Sequence, residues 1–156
     1  SITRSYQALI WGKLRPQNGK IETLITRSSK NRQMMEVGIT KGKKAVTNYK
    51  TLEVFENEKI PTLSLIECKL ETGRTHQIRV HLAHAGHGLV GDPLYGGRRK
   101  IPSKSFSEEI VTGILSFPRQ ALHAASLGFI HPKTNETVNF EAPLPADMSD
   151  LIKQLI

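Results

Sequence analysis

Residues 70–97, LETGRTHQIRVHLAHAGHGLVGDPLYGG, constrain the fold of this chain more than any other segment. Gly73 allows a sharp turn, and Thr75 is a suitable N-cap for a helix that follows it. Gly86 then supplies the left-handed stop that commonly ends a helix. Apolar residues recur between these points at helical spacing, namely Ile78, Leu82 and Ala85. The pattern predicts a helix of about three turns, from near Thr75 to near residue 85.

Polar side chains are concentrated at the predicted start of this helix. Free amides and the positive end of the helix dipole would lie there beside cationic side chains, which favours an anion. His76 and Arg79 are three residues apart and can share one surface, with Gln77 close by. Arginine binds carboxylates and phosphates through two-pronged contacts. The residues alone are equally compatible with an anion site and with a buried helix that has solvated basic ends.

The rest of the chain has more strand signals than helix signals. Alternating or apolar runs predict strands at 5–12, 21–25, 34–37, 41–44, 45–56, 63–71, 120–130 and 138–141. Helical patterns are confined to residues 107–115 and 145–156 outside the central segment. The prediction is a single α+β domain over residues 1–156, with a mostly antiparallel or mixed sheet flanked by a few helices.

The positive charge of the chain is concentrated in its first third. The net charge is +8, and residues 1–50 hold 11 Lys or Arg against 2 Glu, a balance of +9. Residues 51–156 hold 11 basic and 12 acidic residues, a balance of −1. This segregation favours a nucleic-acid partner over a merely basic surface. A smaller basic patch comprises Arg98, Arg99, Lys100 and Lys104.

Other residue types point to a soluble protein. No apolar run approaches the roughly 20 residues of a spanning helix, and no signal peptide opens the chain, so we expect a cytoplasmic protein. Cys68 lies in an alternating strand and is expected to be a buried side chain. His123 and His131 are expected in a sheet and a turn.

The spacing of three histidines raises the alternative of a metal-assisted hydrolase. His81, His84 and His87 are three residues apart, and Asp92 could be a fourth ligand. Gly86 should end the helix before His87, however, and no cluster of Glu or Cys accompanies these residues. The metal hypothesis is therefore the weaker one.

The central segment, with RSYQALIWG near the start and RQALHAASLGFIHP near the end, resembles the RluA-type family of RNA pseudouridine synthases. The resemblance is strongest to the ribosomal RNA members and implies isomerisation of uridine to pseudouridine in RNA, without a cofactor or metal. It implies that Tyr6 packs against the target base. It also implies that Arg79 holds the catalytic aspartate in a salt bridge that keeps the acid ionised.

The sequence departs from the family pattern at the nucleophile. The family's catalytic aspartate lies in a His-Arg-Leu-Asp segment upstream of the tyrosine strand. The aspartates of this chain are Asp92, Asp147 and Asp150, and none has that setting. The chain thus resembles the C-terminal part of a catalytic domain, without the N-terminal half, and we expect it to be inactive alone. The alternative is an RNA-binding module without catalysis.

The resemblance and the charge pattern together predict the contacts with partners. An unpaired sheet edge, left by the missing half, predicts self-association. The residues expected to bind RNA are Arg4, Arg27, Lys30, Arg32, Lys41, Lys43, Lys44, Arg74, His76, Gln77, Arg98 and Arg99.

Overall fold

The structure is a computed structural model that describes residues 2–96 and 106–156. In this part of the chain, seven strands form one sheet in the order β3-β2-β4-β5-β1-β6-β7. Every pair of neighbouring strands is antiparallel. The elements are β1 (Ile2–Trp11), β2 (Asn18–Arg27), β3 (Met35–Gly38), β4 (Lys43–Asn57), β5 (Ile60–Leu70), α1 (Gln77–His84), α2 (Glu108–Leu115), β6 (Leu122–Ile130), β7 (Thr137–Glu141) and α3 (Ala146–Leu155). The α+β class with an antiparallel sheet and a few helices is confirmed.

Strand β1 lies near the middle of the sheet, and its side chains alternate between two hydrophobic layers. Leu9 and Trp11 pack into the cluster that contains α2 and α3. Ala8 and Ile10 pack into the opposite cluster, which contains Ile78 and Leu82 of α1, and Tyr6 packs against this second cluster. Because strand side chains alternate with period two, residue 6 shares a face with residues 8 and 10. This alternation brings Tyr6 to the face of the sheet that carries α1.

Helix α1 begins two residues later than its sequence indicates. Thr75 is not the N-cap; that position belongs to His76, whose φ of 55° is left-handed and whose side chain makes no capping bond. The predicted end is confirmed, because Gly86 has a φ of 87°. Its N–H donates to the carbonyl of Ala83, and the N–H of His87 donates to Leu82, as in a Schellman motif.

Cys68 and one face of α3 belong to the hydrophobic core. Cys68 is fully buried, and burial raises the pKa of its thiol to about 12. The buried face of α3 consists of Met148, Leu151, Ile152 and Leu155. In the described ranges, no helix has the length and apolar character needed to cross a membrane.

Candidate active site

Tyr6 and Arg79, the two expected catalytic residues, line the same open pocket. Its volume is about 320 Å³. Strand β1 contributes Tyr6, the loop before α1 contributes Arg74 and His76, and α1 itself contributes Arg79. The remaining walls are Leu70, Gln77, Ile78, Gln120 and Leu122. A mixture of one aromatic ring, apolar walls and three basic side chains suits a flat polar ligand such as a nucleobase.

Arg79 forms a buried two-pronged ion pair with Asp92. Its Nε donates to Oδ2 at 2.8 Å and its Nη2 donates to Oδ1 at 2.9 Å. Arg79 is 8% exposed and Asp92 is 1% exposed. The acid that Arg79 holds in this structure is therefore Asp92 of the chain itself, a partner that the sequence did not predict. The ion pair uses Nε and Nη2 of Arg79, whereas Nη1 makes no hydrogen bond to Asp92.

The loop of residues 91–96 completes the surroundings of the Asp92 carboxylate. Oδ1 also accepts from the backbone N–H groups of Leu94 at 2.9 Å and Tyr95 at 3.1 Å. Burial would raise the pKa of Asp92, but the hydrogen bonds from Arg79, Leu94 and Tyr95 together lower it below its ordinary value. The hydrogen bond to Asp92 raises the pKa of Arg79. Both groups are therefore charged at neutral pH.

Tyr95 connects this ion pair to His76. The guanidinium carbon of Arg79 lies 4.9 Å from the centre of the Tyr95 ring, a cation–π contact. The Tyr95 hydroxyl lies 2.8 Å from Nδ1 of His76 and accepts from the N–H of Met35 at 2.7 Å. Burial and the charge of Arg79 lower the pKa of His76. The pocket therefore presents a neutral imidazole at pH 7.

Gln77 has a structural role that contradicts the expectation of RNA binding. It is 2% exposed. Its Nε2 donates to the carbonyl of Val46 and to Oγ1 of Thr47, both at 3.0 Å. Its Oε1 accepts from Oγ1 of Thr72 at 2.7 Å and from the N–H of Arg74 at 3.0 Å. The amide is fully used in fixing the loop before α1 to β4.

Two histidines of the metal hypothesis, His81 and His87, have separate partners. The ring nitrogens of His81 lie 2.7 Å from the hydroxyls of Thr23 and Thr47, and burial lowers its pKa to about 4. Nδ1 of His87 lies 2.8 Å from the Trp11 carbonyl. Within residues 2–96 and 106–156, no group of three His, Cys, Asp or Glu is placed to hold a metal.

The remaining residues expected to bind RNA are dispersed around the pocket. Arg27, Lys43 and Arg74 line a neighbouring groove, whereas Arg4 lines a separate small pocket beside Glu71. The other members that are described are exposed on loops or at the start of β4, namely Lys30, Arg32, Lys41 and Lys44. Arg98 and Arg99, with Lys100 and Lys104, lie outside the described residues.

Two residues that hold this site together, Asp92 and Tyr95, were not assigned these roles from the sequence. Both belong to the GDPLYGG segment, in which Asp92 was considered only as a possible metal ligand. Apolar residues flank Asp92 on both sides, including Val90 and Leu94. A carboxylate in such a setting needs a buried cation or several N–H donors, and this signal could have indicated a partner in α1.

Comparisons with known proteins show which family the chain resembles. Residues 1–84, which include Tyr6 and Arg79, match the family model described as RNA pseudouridylate synthase. The ribosomal large subunit pseudouridine synthase D of Zymomonas mobilis is 46% identical over 157 residues, covering 100% of this chain and 46% of the relative. An uncharacterized RNA pseudouridine synthase of Bacillus subtilis, YlyB, is 46% identical over 155 residues, covering 99% of this chain and 45% of the relative. The chain thus spans slightly less than half the length of these curated relatives.

Solved structures give the same assignment. Human RNA Pseudouridylate Synthase Domain Containing 1 has a TM-score of 0.69 and 27% identity, over 99% of this chain and 65% of that one. Human RNA Pseudouridylate Synthase Domain Containing 4 shares the fold, with a TM-score of 0.70 and 23% identity over 99% of this chain and 62% of that one. The family model and the relatives confirm the resemblance of the motifs, and the chain belongs to the RNA pseudouridylate synthase family.

Proposed function

We propose that this protein contributes to the isomerisation of uridine to pseudouridine in RNA, with ribosomal RNA as the substrate. The single observation that carries the proposal is the pocket in which Tyr6 and a buried Arg79 lie together. The names of relatives that act on the ribosomal large subunit support ribosomal RNA as the substrate. The concentration of charge in residues 1–50 supports a polyanionic partner.

In the proposed reaction the target uridine leaves its helix and enters the pocket. The bond between N1 and C1′ breaks, a bond between C5 and C1′ forms, and the proton lost from C5 is balanced by one gained at N1. Tyr6 would pack against the base, and stacking on an aromatic ring suits an unstacked nucleobase. Gln120 and Leu122, which also line the pocket, would limit its movement.

Arg79 would orient a carboxylate nucleophile that residues 1–156 do not provide. No Asp or Glu is among the described residues that line the pocket. Asp92 is buried with both oxygens engaged, and Asp147 is held by Arg119. Because Asp92 fixes two nitrogens of the guanidinium, Nη1 would remain available to a second carboxylate. An arginine between two acids keeps both ionised.

Pseudouridine formation in ribosomal RNA, measured by chromatography of the digested nucleosides, tests this proposal. The chain alone should give no turnover. A fusion to the part of the Zymomonas mobilis relative outside the matching region should restore it. In that fusion Arg79→Lys should lower the rate by about a hundredfold, because lysine cannot bind two acids in a fork. Tyr6→Ala should lower it about tenfold through lost stacking.

Matched controls separate these effects from general damage. Arg119 forms a two-pronged pair with Asp147 like that of Arg79, but it reaches the pocket only through the backbone carbonyls of Gln120 and Leu122, so Arg119→Lys should lower turnover far less than Arg79→Lys. Tyr49→Phe removes a hydroxyl bond to the Pro16 carbonyl, away from the pocket, and should keep turnover. Full activity of Arg79→Lys would refute its role, and turnover by the chain alone would refute the external nucleophile.

The absence of a carboxylate from the described pocket lining favours a second candidate, an RNA-binding module without catalysis. Both candidates predict RNA binding that weakens steeply with salt. If the fusion binds RNA but converts no uridine, while the unmodified relative does, the binding module is the better description.

A further inference from the structure

A second concave site lies next to the pocket and has a different character. This groove, with a volume of about 560 Å³, is lined by three cationic side chains, Arg27, Lys43 and Arg74. They come from the end of β2, the start of β4 and the loop before α1. The remaining lining residues are Ile25, Thr26, Met35, Gly42, Gly73 and Thr75. Among the described residues that line the groove there is no Asp or Glu, so no side-chain carboxylate in its wall neutralises this charge.

Arg74 lies between the two sites. It lines both the pocket of Tyr6 and Arg79 and the groove of Arg27 and Lys43. Its Nε donates to the carbonyl of Lys44 at 2.9 Å, which fixes the side chain against β4. The backbone of Arg74 is fixed as well, because its N–H donates to Oε1 of Gln77. The arginine shared by the two sites is therefore held before any ligand binds.

Two backbone segments approach each other closely in the wall of the groove. Gly42 has a φ of 127°, and a Cβ at this position would lie 2.8 Å from the Ile25 carbonyl oxygen. Nη1 of Arg27 donates to the Arg32 carbonyl at 2.5 Å, which ties this side chain to the loop after β2. Arg27 and Arg74 are thus each anchored through a single guanidinium nitrogen. Their other N–H groups remain available to a ligand.

We propose that Arg27, Lys43 and Arg74 form a subsite for an RNA phosphodiester next to the target nucleotide. The inference rests on the proposed function, because the neighbouring pocket is taken as the place of the uridine base. Phosphate suits the groove because arginine binds its oxygens through a planar fork and lysine adds a point charge. Arg74 would contact the phosphate at the junction, and the strand would continue past Lys43. Such contacts position RNA without reading its sequence.

Nuclear magnetic resonance titrations of the 156-residue chain with uridine and with the dinucleotide UpU test this subsite. Uridine should shift resonances of the pocket, such as those of Ile78 and Leu122. UpU should also shift the amides of Gly73 and Thr75 and should bind about tenfold more tightly, as expected for one charge-assisted contact. The double variant Arg27→Ala, Lys43→Ala should lose this advantage of UpU. Lys133→Ala, which removes an exposed charge from the turn between β6 and β7, should retain it.

The outcomes distinguish the subsite from the proposed function. Equal affinity for uridine and UpU, without shifts at Gly73 and Thr75, would overturn the subsite and leave the pocket intact. Groove shifts with UpU but no pocket shifts with either probe would support the subsite and count against the uridine pocket. A methylphosphonate UpU, which has no charge at the linkage, should behave as uridine does; if it keeps the tenfold advantage, phosphate recognition is refuted.

Discussion

Arg79 and Arg119 each hold an aspartate through Nε and Nη2, at distances of 2.8–2.9 Å, but their surroundings differ. The side chains of Arg79 and Asp92 are almost fully buried, whereas those of Arg119 and Asp147 are 37% and 34% exposed. When one partner of a buried pair is removed, the other charge is left unpaired in a medium of low polarity. When one partner of an exposed pair is removed, water takes its place.

The first prediction follows from this contrast in burial. Asp92→Asn should lower the free energy of unfolding by about 3 kcal/mol or more, because it leaves the Arg79 guanidinium buried and unpaired. Asp147→Asn is the matched control and should cost about 1 kcal/mol or less. Urea denaturation of both variants measures the difference. Equal losses of unfolding free energy in the two variants would show that burial does not make the Arg79–Asp92 pair more stabilising than the exposed pair.

His81 gives a second prediction, on the pH dependence of stability. Its folded pKa of about 4 lies below the ordinary value of 6.5, because burial disfavours the charged ring. The unfolded chain therefore binds more protons between pH 6.5 and 4. The contribution of His81 is complete above pH 6.5, and up to roughly 3 kcal/mol is lost as the pH falls to 4.

Comparison with His81→Gln isolates this contribution. Glutamine is polar but does not titrate, whereas His76, Asp92 and Asp147 titrate in both proteins. The unfolding free energy of both proteins is measured by urea denaturation at pH 7.5, 5.5 and 4.5. As the pH falls, the wild type should lose more stability than His81→Gln. A difference that is constant with pH would contradict the buried neutral ring.

The sequence predicted Tyr6 and Arg79 as site residues, and the fold brings them to one pocket. It did not predict the partner of Arg79. Asp92 lies 13 residues away in sequence and reaches Arg79 through the loop of residues 91–96, so neither helical nor strand periodicity relates the two residues. Ion pairs of this kind depend on how a loop folds over a helix, which local patterns do not specify.

At the level of elements, α1 shows where local signals were sufficient and where they failed. The end of the helix requires a left-handed backbone conformation, which glycine adopts without strain and which Gly86 has here. This end was predicted correctly from the sequence. The start of the helix depends on a tertiary contact. Gln77 uses its amide to join the preceding loop to β4, so the helix begins at Gln77 without the help of Thr75.

The third prediction compares these two positions. Gln77→Ala should lower the unfolding free energy by about 2–4 kcal/mol, because it leaves four buried or partly buried polar groups without their partner. Thr75→Ala should change it by less than about 0.5 kcal/mol, because Thr75 is exposed and lies before the N-cap residue His76. A lost N-cap would instead cost about 1 kcal/mol. Thermal or urea unfolding of both variants decides between the two accounts of the helix start.

At the level of the whole molecule, the sheet continues on both sides of β1, through β5 on one side and β6 on the other. The exposed edges of the described sheet are therefore β3, of four residues, and β7, of five. Short edges limit pairing with other chains, but β7 carries Phe140, which is 57% exposed. Of the two edge strands, β7 is the one that itself contains an exposed large hydrophobic side chain, so we expect association through β7.

The fourth prediction is that the chain associates through β7 as its concentration rises. Phe140→Lys should shift the elution volume towards the monomer in sizing chromatography, because a charge on an edge strand opposes pairing with a second edge. Leu115→Lys is the matched control: Leu115 is 41% exposed at the end of α2 and belongs to no strand, so its substitution should leave association unchanged. A monomeric wild type at all concentrations would contradict the prediction. An equal effect of the two variants would indicate general hydrophobic association instead of strand pairing.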